Sequence, residues 1–239
     1  MKKNATTNTM YALFAVLFLF ASCKKEEENL EVGFSQEIEN FVPDSTIEKM
    51  RDLGMVINEG KQPPSIEGTY FVSPMIMKSS NVPNEGYEIG HRFINYKYHF
   101  YNQNNDELTI EMDATGINDY NRIISESKGQ GAFIAGYNDS FTAFLIEEGY
   151  SVKNTFDTSY FSMLTVSSGQ ISASGIKDYH QAIWMLDDFG DPHGNLIPVN
   201  SGRVFFDSDS LANYTFLEKE SNMTKKQSIP HRYPALISE

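Results

Sequence analysis

The sequence predicts a mostly β protein, an antiparallel meander that closes into a barrel or folds as a sandwich. The first observation is an alternation of apolar and polar residues between about residues 66 and 207. The second is a series of segments rich in Asn, Asp, Gly and Ser that separate the apolar runs as turns do. The third is composition, because thirteen Tyr and seventeen Phe suit pleated strands.

The alternation is clearest in residues 94–101 and 108–114, where apolar or aromatic residues occupy every second position. Successive side chains of a strand point to opposite faces, so this pattern predicts strands with one buried face. Further strands are predicted at 70–77, 121–125, 133–137, 142–147, 160–166, 176–186 and 203–207, with turns at 102–106, 128–131, 138–140, 167–169 and 187–192.

One short helix is predicted before the strands, at about residues 46–53. Ser45 and Glu48 have the spacing of a capping box, in which each side chain bonds the other residue's backbone N–H. An apolar stripe and a following glycine support this helix: Ile47, Met50, Leu53 and Gly54.

The first residues resemble the signal peptide of bacterial lipoproteins. Basic Lys2 and Lys3 precede a short apolar run at residues 10–21, and Ser22 precedes Cys23 as in a lipobox, although Phe20 stands where leucine is usual. The resemblance implies cleavage after Ser22 and acylation of Cys23, a palmitate-type lipid anchor. The alternative is an ordinary secretory signal with an incidental cysteine.

Cys23 is the only cysteine, so the chain forms no internal disulfide and lipidation accounts for the residue. Residues 24–29 carry Lys24 rather than the Asp typical of lipoproteins kept at the inner membrane. Their acidic run resembles export tags of cell-surface lipoproteins, so we expect an outer-membrane location, with outward-facing favoured over periplasm-facing. The alternative is that this charged run is only a solvated tether, without a sorting role.

The expected organisation is therefore a signal peptide (1–22), a lipidated tether (23–43) and one β domain (44–239) whose tail from about residue 208 is irregular. The net charge of −13 becomes −15 once the signal peptide, with its two lysines, is removed. So acidic a chain repels nucleic acid, and we expect no nucleic-acid partner.

Gly68 and Tyr70 resemble the Gly-x-Trp that opens the first strand of lipocalins, with Tyr in place of Trp. The resemblance implies a lipocalin-like barrel over roughly residues 66–207, and it transfers no ligand. The only tryptophan is Trp184.

No catalytic, phosphate-binding or zinc-binding motif is present, so neither an enzyme nor a cofactor is expected. A hydrolase with unrecognised carboxylates remains the less favoured alternative. The segment Asp187–Asn195 has the oxygen ligands and glycines of a calcium loop but not the EF-hand spacing, and a turn is the favoured interpretation. No metal site is predicted.

The candidate ligand-binding residues are Tyr96, Tyr98 and Trp184, which in a barrel could line a cavity for an apolar or glycan ligand. Equally, a small barrel fills its interior with such side chains. The leading functional hypothesis is a membrane-anchored, non-enzymatic lipoprotein that binds a small ligand. The alternative is an accessory lipoprotein that docks onto a cell-envelope protein complex.

Overall fold

The computed structural model describes residues 33–153 and 157–216. Helices α1 and α2 span Gln36–Phe41 and Asp44–Asp52. The strands, in chain order, are β1 (Gly68–Val72), β2 (Met75–Ser80), β3 (Asn95–Asn104), β4 (Thr109–Ile117), β5 (Ile123–Tyr137), β6 (Ser140–Val152), β7 (Thr158–Ser172), β8 (Gly175–Asp187), β9 (Gly202–Asp207) and β10 (Leu211–Thr215).

Antiparallel ladders join the strands into a closed ring. The strands from β3 to β8 pair in chain order, as in a meander. β1 pairs with β3 on one side and with β10 on the other, and β10 also pairs with the first residues of β8. The ladder therefore returns to its starting strand, which confirms the predicted barrel-like antiparallel meander.

Two strands of this ring are divided. β1 and β2 are separated only by Ser73 and Pro74, and β9 and β10 by the turn at 208–210. β9 pairs with both β8 and β2, so β9 and β10 both run beside β8, and β2 continues the pairing of β1 with this divided strand. With each divided strand taken once, eight strand positions surround the interior. A ring of this size is just wide enough for side chains to fill.

Three predictions about turns and the tail were wrong. The turn predicted at 128–131 is a bulge inside the single strand β5, where the pairing shifts between Gln130 and Phe133 and Gly131 has φ +62°. The turn predicted at 167–169 lies inside β7, again at a register shift. The tail predicted to be irregular contains β10, which closes the ring. Glycine suits a bulge as well as a turn, so local composition alone did not separate the two.

The helices pack on the outside of the ring. The capping-box prediction was wrong, because α2 begins at Asp44 after Pro43 and has no side-chain cap, although Gly54 does follow the helix with φ +84°. The chain ahead of α2 also forms α1, which was not predicted and is capped by Ser35. Among the described residues, no helix has the length and apolarity needed to cross a membrane.

Two apolar cores result from this arrangement. The inner core fills the ring and includes Tyr70, Tyr98, Phe100, Phe141 and Tyr179. The outer core lies between the helices and strands β5–β9 and includes Ile47, Met50, Phe144, Leu164 and Trp184. Several strands therefore bury both faces, one against each core.

Candidate functional site

The connections between strands define two ends of the ring. In an antiparallel meander, alternate connections lie at the same end. The β2–β3 (81–94), β4–β5 (118–122) and β8–β9 (188–201) connections share the end that we call the loop end. The short turns β3–β4, β5–β6 and β7–β8 lie at the opposite end.

Two of the three predicted ligand-binding residues lie together in the interior. Tyr96 and Tyr98 project inward from β3, and their rings stack with centroids 5.6 Å apart and planes 7° apart. Tyr98 is buried and donates its hydroxyl hydrogen to Gln181 Oε1 on β8. Its ring also lies 5.7 Å from that of Tyr179. Tyr96 is half-buried, on the part of β3 nearest the loop end.

Trp184 does not join these tyrosines. It lies in the outer core beneath α2, with Lys49 Nζ 5.8 Å from the centre of its ring. On β8 the inward side chains near it are Gln181 and Ile183, so Trp184 has the opposite parity. The structure therefore brings together Tyr96 and Tyr98 but places the third candidate on the other face of the sheet.

A buried carboxyl group, Glu147, completes a set that we call the inner polar cluster: Tyr96, Tyr98, Ser127, Glu147, Thr165, Ser167, Tyr179 and Gln181. Glu147 projects inward from β6 and is 1 % exposed. Thr165 donates a hydrogen bond to its Oε2 at 2.8 Å. Within the described residues, its Oε1 has no hydrogen-bond partner.

Glu147 was not among the predicted site residues. Residues 141, 143, 145 and 147 share one face of β6, and the first three are Phe, Ala and Leu of the inner core. Glu147 therefore continues the inward face of the strand. The sequence pattern does not single it out, because Phe144 and Ile146 make the other face apolar too, and Glu148 continues that face.

Burial raises the pKa of Glu147 to about 7, against the opposing effect of the Thr165 and Ser127 hydroxyl groups. The cause is desolvation, which disfavours the charged form of a carboxyl group. Burial raises the pKa of Tyr96 to about 12, and the nearby Glu147 adds to the rise. The cluster is therefore a set of hydroxyl, amide and carboxyl groups in which Glu147 changes charge near neutral pH.

The interior around this cluster is closely packed. Tyr98, Phe100, Phe141 and Tyr179 are each at most 2 % exposed. A Cβ atom added to Gly116 would come within 2.7 Å of Ile94 Cδ1, so no spare volume lies beside that strand. A ligand inside the ring would have to displace these side chains. A separate pocket of about 230 Å³ lies near the opposite end, beside the β5 bulge.

The carboxylates of the segment 187–195 form turns, as the favoured interpretation of this segment expects. Asp187 and Asp188 accept the backbone N–H groups of the residues two positions ahead. Asp191 accepts from the Leu196 N–H and from the Ser159 hydroxyl. Backbone and hydroxyl hydrogen bonds lower the pKa of Asp191, although burial opposes them. Among the described residues, no three His, Cys, Asp or Glu side chains are grouped so that they could hold a metal ion.

The predicted signal segment and Cys23 lie outside the described residues, as do residues 217–239. Comparisons of the chain with protein-family models, with curated proteins and with solved structures find no match.

Proposed function

We propose that this protein is a membrane-anchored, non-enzymatic lipoprotein that docks onto another protein of the cell envelope. Lipid on Cys23 holds it at the outer membrane. The observation that carries the proposal is the position of its exposed apolar side chains. Ten large ones are exposed within the described residues, and six lie at the loop end: Tyr87, Ile89, Tyr120, Ile123, Phe189 and Val199.

The packed interior supports docking over ligand storage. A barrel that carries a ligand keeps a concave pocket for it, whereas side chains fill this ring. Apolar side chains gathered on loops are typical of protein interaction sites, because loops on a rigid scaffold carry most binding residues.

The anchor is tested with radiolabelled palmitate in intact cells. The wild-type chain should incorporate the label and Cys23→Ala should not. Equal labelling of both chains would refute lipidation at this residue.

Docking is tested by chemical crosslinking in intact cells that express the full chain. One dominant protein adduct is expected, and it should be lost or reduced in Cys23→Ala, because the unanchored chain loses its place at the membrane. A smear of unrelated adducts, or none, would contradict the proposal.

A second candidate function is binding of a small apolar or glycan ligand within the ring. The observation that favours it is the inner polar cluster, where Glu147 Oε1 lacks a partner and Tyr96 is half-buried toward the loop end. Native mass spectrometry of the protein taken from its own membrane tests this candidate. A bound species lost in Tyr96→Ala but retained in Tyr120→Ala would favour the ligand over docking.

A further inference from the structure

Three connections at the loop end, 81–94, 118–122 and 188–201, are tied to the ring or to one another. Arg203 on β9 bonds both carboxylate oxygens of Glu85 at 2.8 Å and stacks over Tyr87, 5.2 Å from its ring centre. The Phe93 ring, from the same connection, lies 5.3 Å from the Phe205 ring. The exposed side chains of this connection therefore project from a fixed base.

Further contacts link the connections to one another. Val82 packs in a small apolar cluster with Leu196 and Ile197, which joins 81–94 to 188–201. Arg92 and Asp119 form an ion pair at 3.6 Å, which joins 81–94 to 118–122. Binding through ordered loops costs less conformational entropy than binding through free ones.

The tips of these connections are apolar. Ile89 is 67 % exposed and Tyr120 is 84 % exposed, although both residue types are usually buried or half-buried. Phe189 and Val199 extend the apolar character to the β8–β9 connection. Aromatic and aliphatic anchors of this kind fill depressions on a partner surface.

The charge around the tips is acidic. Connections 81–94, 118–122 and 188–201 hold five acidic and two basic residues. Two of the acids are paired, Glu85 with Arg203 and Asp119 with Arg92. Glu88, beside Ile89, and Asp188, beside Phe189, flank the apolar tips. Complementary charge favours a partner whose rim carries Lys and Arg, and disfavours an anionic lipid surface.

The described chain begins at the opposite end from these loops. The Gly60 N–H donates to Gly33 O at 3.1 Å, and Gly136 N–H donates to Gly60 O at 3.0 Å. Gly136 lies next to the β5–β6 turn at the opposite end. The first described residues therefore lie at the end of the ring opposite the loop end.

We infer that the loop end docks into an apolar depression with a basic rim on a second envelope protein. This inference rests on the proposed docking function and names its surface and the chemistry of its partner. Ile89 and Tyr120 enter the depression, and Glu88 and Asp188 face the rim.

The test places a photoreactive phenylalanine analogue at one position of the full-length chain in intact cells. Tyr120 is the test position. Phe216 is the matched control, an aromatic residue with 81 % exposure at the opposite end. The expected result is one protein adduct from Tyr120 and none from Phe216. Mass spectrometry of the crosslinked partner peptide should place apolar residues with Lys or Arg beside them at the contact.

A charge reversal tests the rim. Glu88→Lys should reduce the yield of the Tyr120 adduct several-fold, whereas Glu48→Lys, the same change on the exposed face of α2, should leave the yield unchanged. Equal melting temperatures of both variants and the wild type establish that folding is unaffected.

Each of the other outcomes would refute one part of the inference. An adduct from Phe216 alone refutes the loop-end surface and leaves the proposed docking function standing. No discrete adduct from any exposed position refutes both. A lipid adduct, or a second copy of this chain, refutes the stated partner. An adduct unaffected by Glu88→Lys refutes the basic rim.

Discussion

Glu147→Gln should change how the stability of this protein depends on pH. The glutamine has nearly the same shape as the protonated acid and cannot ionise. Glu147 is buried, with a pKa of about 7 in the folded protein against an ordinary value of 4.5. The wild-type chain therefore carries a buried group that loses its proton near neutral pH, and the variant does not.

Proton linkage gives the sign and the size of the change in the free energy of unfolding with pH. Below pH 4.5 the group is protonated in both states. Between pH 4.5 and 7 the unfolded chain releases the proton while the folded protein keeps it, so stability falls by about 1.4 kcal/mol for each pH unit. Above pH 7 both states are ionised and the loss, about 3 kcal/mol, is complete.

Urea unfolding at pH 5 and pH 8 measures the effect. The free energy of unfolding of Glu147→Gln, relative to the wild type, should rise by about 2.5 kcal/mol between the two pH values. The amide hydrogens that replace Oε1 lack a partner, which costs about 1–3 kcal/mol at both pH values and cancels in this difference. The raised pKa of Asp207, also about 7, affects both chains equally.

Glu148→Gln is the matched control, because this neighbour lies on the other face of β6 and is only half-buried. The control separates the effect of the buried position from the loss of one acid on the same strand. The reasoning is refuted if Glu147→Gln and the wild type lose stability in parallel from pH 5 to pH 8.

Three further changes test the described contacts. Thr165→Val removes the donor to Glu147, so urea unfolding should show a loss of about 1–3 kcal/mol at pH 8 and a smaller loss at pH 5; equal losses would contradict the contact with an ionised carboxylate. Tyr98→Phe leaves Gln181 Oε1 without its donor and should cost about 1–3 kcal/mol in the same assay; a cost near zero would show that the hydrogen bond contributes nothing. Trp184→Ala empties a space under α2 and should cost about 3–5 kcal/mol; an unchanged unfolding midpoint would contradict its place in the outer core.

The strands themselves follow from the sequence, because side-chain alternation is a local property. The alternation at 94–101 and 108–114 corresponds to β3 and β4. The turn predicted at 138–140 separates β5 from β6, with Asn138 at φ +55°, a conformation that asparagine tolerates well. The sequence does not distinguish bulges from turns, because the two glycines at 129 and 131 suit either structure.

The site was only partly predictable. Alternation divides a strand into two faces but does not say which face points inward when both are apolar. β8 buries Tyr179 and Gln181 inside the ring and Trp184 outside it, under helices that come from a distant part of the chain. Because both faces of β8 are apolar, the sequence pattern grouped Trp184 with Tyr96 and Tyr98, although only the two tyrosines face the interior.

The sequence alone indicates the class of fold, the position of most strands, the acidic charge and the resemblance of its first residues to a lipoprotein signal. Three other features depend on the tertiary structure: the closure of the ring by β10, the covering of its outer face by two helices, and the burial of Glu147. Each depends on which distant segments meet. Contacts between distant residues decide which side chains are buried. They bury Glu147, which raises its pKa, and they leave the apolar side chains of the loop end exposed.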